Sequence, residues 1–146
     1  MKWEIVEDRS AFLPRSLPRW RPFSDTNPAL ERVAPGYHLG ILSNIEDGFL
    51  LETLQHFTVS FEMIITAEQV RSYKPCKAHF EEAGRRKGNA RWLHVAQSHF
   101  HDVVPALELG VPVAWVNRTG GPLPQGGGKP RCEVQNLIEL ADRLGV

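Results

Sequence analysis

The chain has 146 residues, the length of one domain with a sizeable core, since domains mostly run to about 100–150 residues, and this excludes a two-domain enzyme. Seventeen basic and seventeen acidic residues cancel to a net charge of zero, so no overall field draws it to nucleic acid or to an anionic membrane. Hydrophobic residues make up 42% and charged residues 23%, a globular composition that excludes disorder of the whole chain. Two cysteines, Cys76 and Cys132, are too few for a disulfide framework and sit in no metal-binding spacing, which suits a reducing cytoplasm. No apolar run nears the roughly 18 residues of a membrane span, and the N-terminus is charged with no secretory apolar core. A soluble, cytoplasmic protein is expected.

In chain order, Lys2–Val6 reads as a short extended or helical piece, followed by an irregular arm in which Pro14, Pro18, Pro22 and Pro28 forbid a long helix. Arg15, Arg19, Trp20 and Arg21 in this arm are open to reading as an RNA-binding strip, but the run is short; packing of Trp20 and Phe23 on the core is the expected role. The arm is taken as residues 1–24 and the core as 25–146. Asp25 opens a short helix over Pro28–Ala34 with Leu30 and Val33 inward, stopped by Pro35-Gly36. Tyr37–Leu42 reads as a buried strand, Gly48–His56 as a helix, and Met63–Ile65 as a second strand followed by a polar connection, Ala67–Tyr73. Lys77–Gly88 has helical spacing with Phe80 and Ala83 inward; Trp92–Ala96 is a third strand. Asp102 is placed to cap a helix over Val103–Leu109, and Val113–Val116 is a fourth strand. Thr119–Pro130, with five glycines and three prolines, reads as a surface loop, and Glu133–Leu144 as a closing amphipathic helix. Strands alternating with helices predict an α/β fold with a mostly parallel sheet covered on both faces, and ligands beyond the carboxyl ends of the strands. That rim holds Ser43-Asn44, Lys74, Gln97–Asp102 and Asn117-Arg118.

Each rim feature has two readings. Ser43 and Asn44 either satisfy a turn or offer neutral donors to a phosphate, carboxylate or halide. Lys74, ahead of Pro75, is either a solvated lysine or a cation that neutralises an anionic intermediate. Asp102 either caps a helix, orients Lys74 through an ion pair, or binds a divalent cation such as Mg2+. His94, His99 and His101 lie close in sequence, but no second cluster completes a zinc site. Ser98 beside His99 and His101 makes no hydrolase triad, as no Gly-x-Ser-x-Gly elbow occurs.

The order of these features is specific where each alone is weak. Leu42-Ser43-Asn44, then Tyr73-Lys74-Pro75 about thirty residues on, then His94-Val95-Ala96-Gln97-Ser98 and His101-Asp102, resembles the second to fourth motifs of the haloacid dehalogenase superfamily. Trp115-Val116-Asn117-Arg118 and Thr66-Ala67-Glu68 look like its 2-haloacid dehalogenase-like branch, and the resemblance covers roughly Pro22 to Arg118. It implies a Rossmann-like core whose motifs meet at the strand ends. By resemblance, Ser43, Asn44, Gln97, Ser98 and His99 hold a small anionic substrate, a 2-halo acid or a phosphate ester. Lys74 steadies the nucleophile and developing charge, and Asp102 orients Lys74 or binds Mg2+. Gln97 stands where phosphatase members carry an acidic residue, which tilts the expectation toward carbon chemistry with no metal cofactor.

The family's first motif, an attacking aspartate after a first apolar strand, has no counterpart, since neither Asp8 nor Asp25 follows a buried strand with the matching pattern. The expectation is therefore a truncated haloacid dehalogenase-like hydrolase, inactive alone, whose core lacks its central strand. The alternative is a non-catalytic small-anion binder or interaction module on the same fold. Either Lys2–Val6 fills the break in the sheet, in the same chain or by swapping in a homodimer, or the flanking strands close up and pair.

Overall fold

The computed structural model describes residues 16–123 and 128–146. A 3-10 turn, Leu17–Arg19, precedes helix α1 (Thr26–Val33), strand β1 (Gly40–Ser43), α2 (Asp47–Leu54), β2 (Met63–Thr66), α3 (Ala67–Val70) and α4 (Ala78–Lys87). Strand β3 (His94–Ala96), a π-helical turn (His99–Val103), α5 (Val104–Glu108), β4 (Val113–Val116), β5 (Cys132–Val134) and α6 (Leu137–Leu144) follow. Every strand pair among the described residues is parallel: Leu42 lies opposite Ile65, Val95 opposite Ala114, and Trp115 opposite Glu133.

Strand β4 is apolar at all four positions because both of its faces are covered, and all four of its residues are buried. Val113 and Trp115 pack with Phe80 of α4, Val103 and Ala106 on one face. Ala114 and Val116 pack with Val134 and Leu140 of α6 on the other. Burying one such valine contributes about 1.5–3 kcal/mol. Helix α6 is fixed at its start by Asn136, whose side chain accepts the Glu139 N–H at 2.9 Å, and at its end by Gly145 with φ 79°.

Among the described residues the sheet is in two parts. Strands β1 and β2 form one sheet and β3, β4 and β5 another, so β1 and β3 are not hydrogen-bonded to each other. The strands along the break are thinly covered: Gly40 is exposed, the rest of β1 is half-buried, and Val95 of β3 is 37% exposed. Backbone alternation decides which groups face the break. The Leu39 and Ile45 carbonyls accept from Glu62 and Ala67 on the β2 side, at 2.9 and 3.1 Å. Leu42 and Asn44, of the opposite parity, therefore turn their backbone groups to the open edge. The flanking strands do not close up, which corrects that alternative; Lys2–Val6 lies outside the described residues.

Several expectations change at element ends. The first strand starts at Gly40 rather than Tyr37, the third at His94 rather than Trp92, and a short helix, Ala67–Val70, occupies part of the polar connection. Cys132–Val134 is a strand, not the start of the last helix; Val134 owes its burial to pairing beside β4, and three residues carry no readable period. Asp102 caps nothing, because Ser98 is the cap of the turn that contains it. The first helix begins at Thr26 and buries Ala29 and Val33, with Leu30 only half-buried. Trp20 and Phe23 are 56% and 66% exposed rather than packed in the core. Phe23 instead lies under the Arg118 guanidinium, 4.1 Å from its ring centroid.

Candidate active site

The loop after β1 and the loop after α3 are clamped together. Asn44 Oδ1 accepts the Lys74 N–H at 2.7 Å and Asn44 Nδ2 donates to the Lys74 carbonyl at 3.0 Å. Both ends of the Asn44 amide are thus spent on the Lys74 backbone, and this aims the lysine side chain at the break. Lys74, 8% exposed, donates from Nζ to the Leu42 carbonyl at 2.8 Å and to Asp102 Oδ1 at 2.6 Å. The ammonium therefore bridges the open edge of β1 and the loop after β3. His94 Nε2 lies 3.1 Å from the same Asp102 oxygen.

Asp102 reaches this point because the chain after β3 turns as a π-helix. Asp102 N and Val103 N both donate to the Ser98 carbonyl, at 3.1 and 3.2 Å, the second spanning five residues. The wider turn carries one extra residue inward, a device common at functional sites. Burial alone raises the Asp102 pKa, but the His94 hydrogen bond and the charge and hydrogen bond of Lys74 together bring it below the ordinary carboxylate value. The pair is then Lys74 ammonium against Asp102 carboxylate.

His79, near the start of α4, is fully buried, and its Nε2 lies 3.1 Å from the Ser43 carbonyl. Burial, with the Lys74 charge, lowers its pKa below the ordinary value, against the opposing pull of the Ser43 bond and Asp102.

Of the expected site residues, Ser43, Asn44, Lys74 and Asp102 converge. Gln97 is exposed and its carbonyl accepts from Trp115 Nε1 at 3.0 Å. Ser98 Oγ accepts the His101 N–H at 3.2 Å, and the His99 ring stands 6.1 Å from the Trp115 ring. Asn117 donates to Gly121 O and Glu133 Oε1, at 2.7 and 2.6 Å, and Arg118 forks onto both oxygens of Asp25, at 2.9 and 3.0 Å. That end of β4 serves the fold. His79 and His94 are the contributors that sequence reasoning missed. A Mg2+ ion does not fit the donors present: Asp102 already holds Lys74 and His94, and the described residues contain no group of three metal-ligating side chains.

No protein-family profile matches the chain. A curated (S)-2-haloacid dehalogenase of Pseudomonas putida is 30% identical over 127 residues, 84% of this chain. The solved L-2-haloacid dehalogenase from Xanthobacter autotrophicus, with chloropropionic acid covalently bound, superposes on 98% of this chain with TM-score 0.83 at 24% identity, covering 69% of that chain. Over most of its length the chain is similar to members of the haloacid dehalogenase superfamily. Its Rossmann-like core is likewise matched by a haloacid dehalogenase-type phosphatase from Thermococcus onnurineus, 28% identical, with TM-score 0.73 over 91% of this chain and 62% of that one. The chain spans about half the length of the curated relatives it matches, 56% of the Pseudomonas putida enzyme.

Proposed function

We propose that this chain carries the anion-binding, charge-balancing half of a haloacid dehalogenase-like hydrolase site. In this reading it acts on small 2-halocarboxylates with a carboxylate nucleophile borne on an apolar strand in the break between β1 and β3. The observation that carries the reading is the Lys74 ammonium, buried at the open edge of β1 against Leu42 O and Asp102. A carboxylate entering there meets a fixed cation that costs no reorganisation when charge develops. The carboxylate attacks C2 of the substrate, the carbon–halogen bond breaks, and halide leaves with the bonding pair. Water then adds to the ester carbonyl, releasing the 2-hydroxy acid and the free carboxylate. Ser43 and the Asn44 N–H bind the substrate carboxylate, and Asp102 holds Lys74 in place. Carbon chemistry is favoured over phosphoryl transfer by the neutral Gln97 and by a donor set that does not fit Mg2+. The free Cys76 and Cys132 suit a reducing cytoplasm.

Without the attacking carboxylate the covalent step has no nucleophile, so the chain alone is expected not to turn over. The test measures chloride release from 2-chloropropionate and phosphate release from a phenyl phosphate, for the chain alone and with a supplied aspartate-bearing first strand. Chloride release only in combination supports the reading, and phosphate release moves it to the phosphatase branch. Anion binding without turnover in either arm leaves a non-catalytic binder, and turnover by the chain alone contradicts the missing nucleophile. A second copy is one source of the strand, and light scattering separates a swapped homodimer from a monomer.

A further inference from the structure

We infer that His79 is a positioning residue of this site, holding the Ser43–Asn44 peptide so that its N–H faces the bound anion. The inference rests on the anion-binding reading above.

Ser43 is the last rung of the β1–β2 ladder, opposite Thr66, and the next N–H, that of Ala67, goes to Ile45 O at 3.1 Å. His79 takes the Ser43 carbonyl at 3.1 Å from a fully buried position. A carbonyl only accepts, so Nε2 carries the proton. The depressed pKa keeps the ring neutral, and Nδ1 is then a bare acceptor, buried and without a partner among the described residues. In a trans peptide the C=O and the following N–H point in opposite directions. Fixing Ser43 O on the His79 side therefore fixes the Asn44 N–H at the open edge, where Lys74 Nζ meets Leu42 O. The Asn44 N–H has no acceptor among the described residues, while its side chain is fully used on Lys74. Lysine and backbone amide thus form a two-point anion seat, and the buried imidazole sets the direction of the second point.

The experiment titrates the 15N-labelled full chain with 2-chloropropionate and reads both affinity and the Asn44 amide shift. It compares wild type with His79→Gln, which keeps a donor at the Nε2 position, and His79→Leu, which removes it. Affinity within about threefold for His79→Gln, and at least about tenfold weaker for His79→Leu with the Asn44 shift lost, supports the inference, since a hydrogen bond to a charged group is of that size. Should His79→Leu not fold, His79→Asn, too short to reach Ser43 O, takes its place with the same expectation. Wild-type affinity and an unchanged Asn44 shift in the donor-less variant overturn it. Lys74→Met separates the two levels: binding lost there but kept in His79→Leu fells only the histidine's role, whereas no binding by wild type fells the anion-binding reading itself and the inference with it.

Discussion

Lys74 and Asp102 hold each other in a pocket that neither would occupy alone. Removing one member of a buried ion pair leaves the other charge uncompensated, so Asp102→Asn is expected to destabilise the fold by about 3–5 kcal/mol in urea unfolding at neutral pH. Asp102 has a folded pKa below its ordinary 3.8, so its contribution is complete above that value and is lost as the pH falls through the folded one. The stability gap between wild type and Asp102→Asn is accordingly expected to narrow below about pH 4. His79 titrates in a different window. Its folded pKa lies below the ordinary 6.5, so the unfolded chain takes up the proton first and stability falls as the pH drops below that value. Unfolding of wild type and His79→Gln across pH 5–7.5 checks this, and the Gln variant is expected to lack the decline. Lys74 and Asp102 were legible in the sequence because each sits in a short ordered motif. The roles of His79 and His94 were not: His79 sits in a mostly polar helix, His94 shows in its motif only as a strand residue, and what makes each matter is a neighbour tens of residues away or across a turn, at Ser43 or Asp102.

At the scale of elements, an apolar run in the sequence announces a strand but not how well that strand is covered. Trp92–Ala96 and Val113–Val116 read alike, yet Val95 is 37% exposed and Val113 is fully buried. Val95→Thr is therefore expected to cost less than about 0.5 kcal/mol, and Val113→Thr about 1–3 kcal/mol for a hydroxyl buried without a partner. Thermal unfolding of the two variants distinguishes them, and equal losses would contradict the open edge at β3. The three-residue strand β5 was hidden because Val134 also fits the apolar stripe of α6, and only its pairing with Val116 decides between the two. The π-helical turn was equally hidden, since nothing in Gln97–Asp102 marks the extra residue that carries Asp102 inward. Asp25 illustrates the opposite case. It stands at the helix start that the sequence predicts, but its carboxylate goes to Arg118 and to the Leu137 N–H at 2.8 Å, tying α1 to α6 across the chain.

For the molecule as a whole, the alternation of helices and parallel strands followed from periodicity, apart from the short helix Ala67–Val70 and the strand Cys132–Val134, and the absent first motif pointed to a gap in the sheet, which among the described residues lies between β1 and β3. What borders the break required the structure: Lys74 Nζ reaches from the Leu42 carbonyl of β1 to Asp102 in the turn after β3. This edge of β1 has no strand partner among the described residues, and the proposed function has it receive one. Amide hydrogen exchange at Leu42, Asn44 and Val95 tests it most directly, measured against β4 amides with and without a supplied first-strand segment bearing the aspartate. Fast exchange is expected at these three positions in the chain alone, and strong slowing when the segment is added. Protection in the chain alone equal to that of β4, unchanged by the segment, would contradict it.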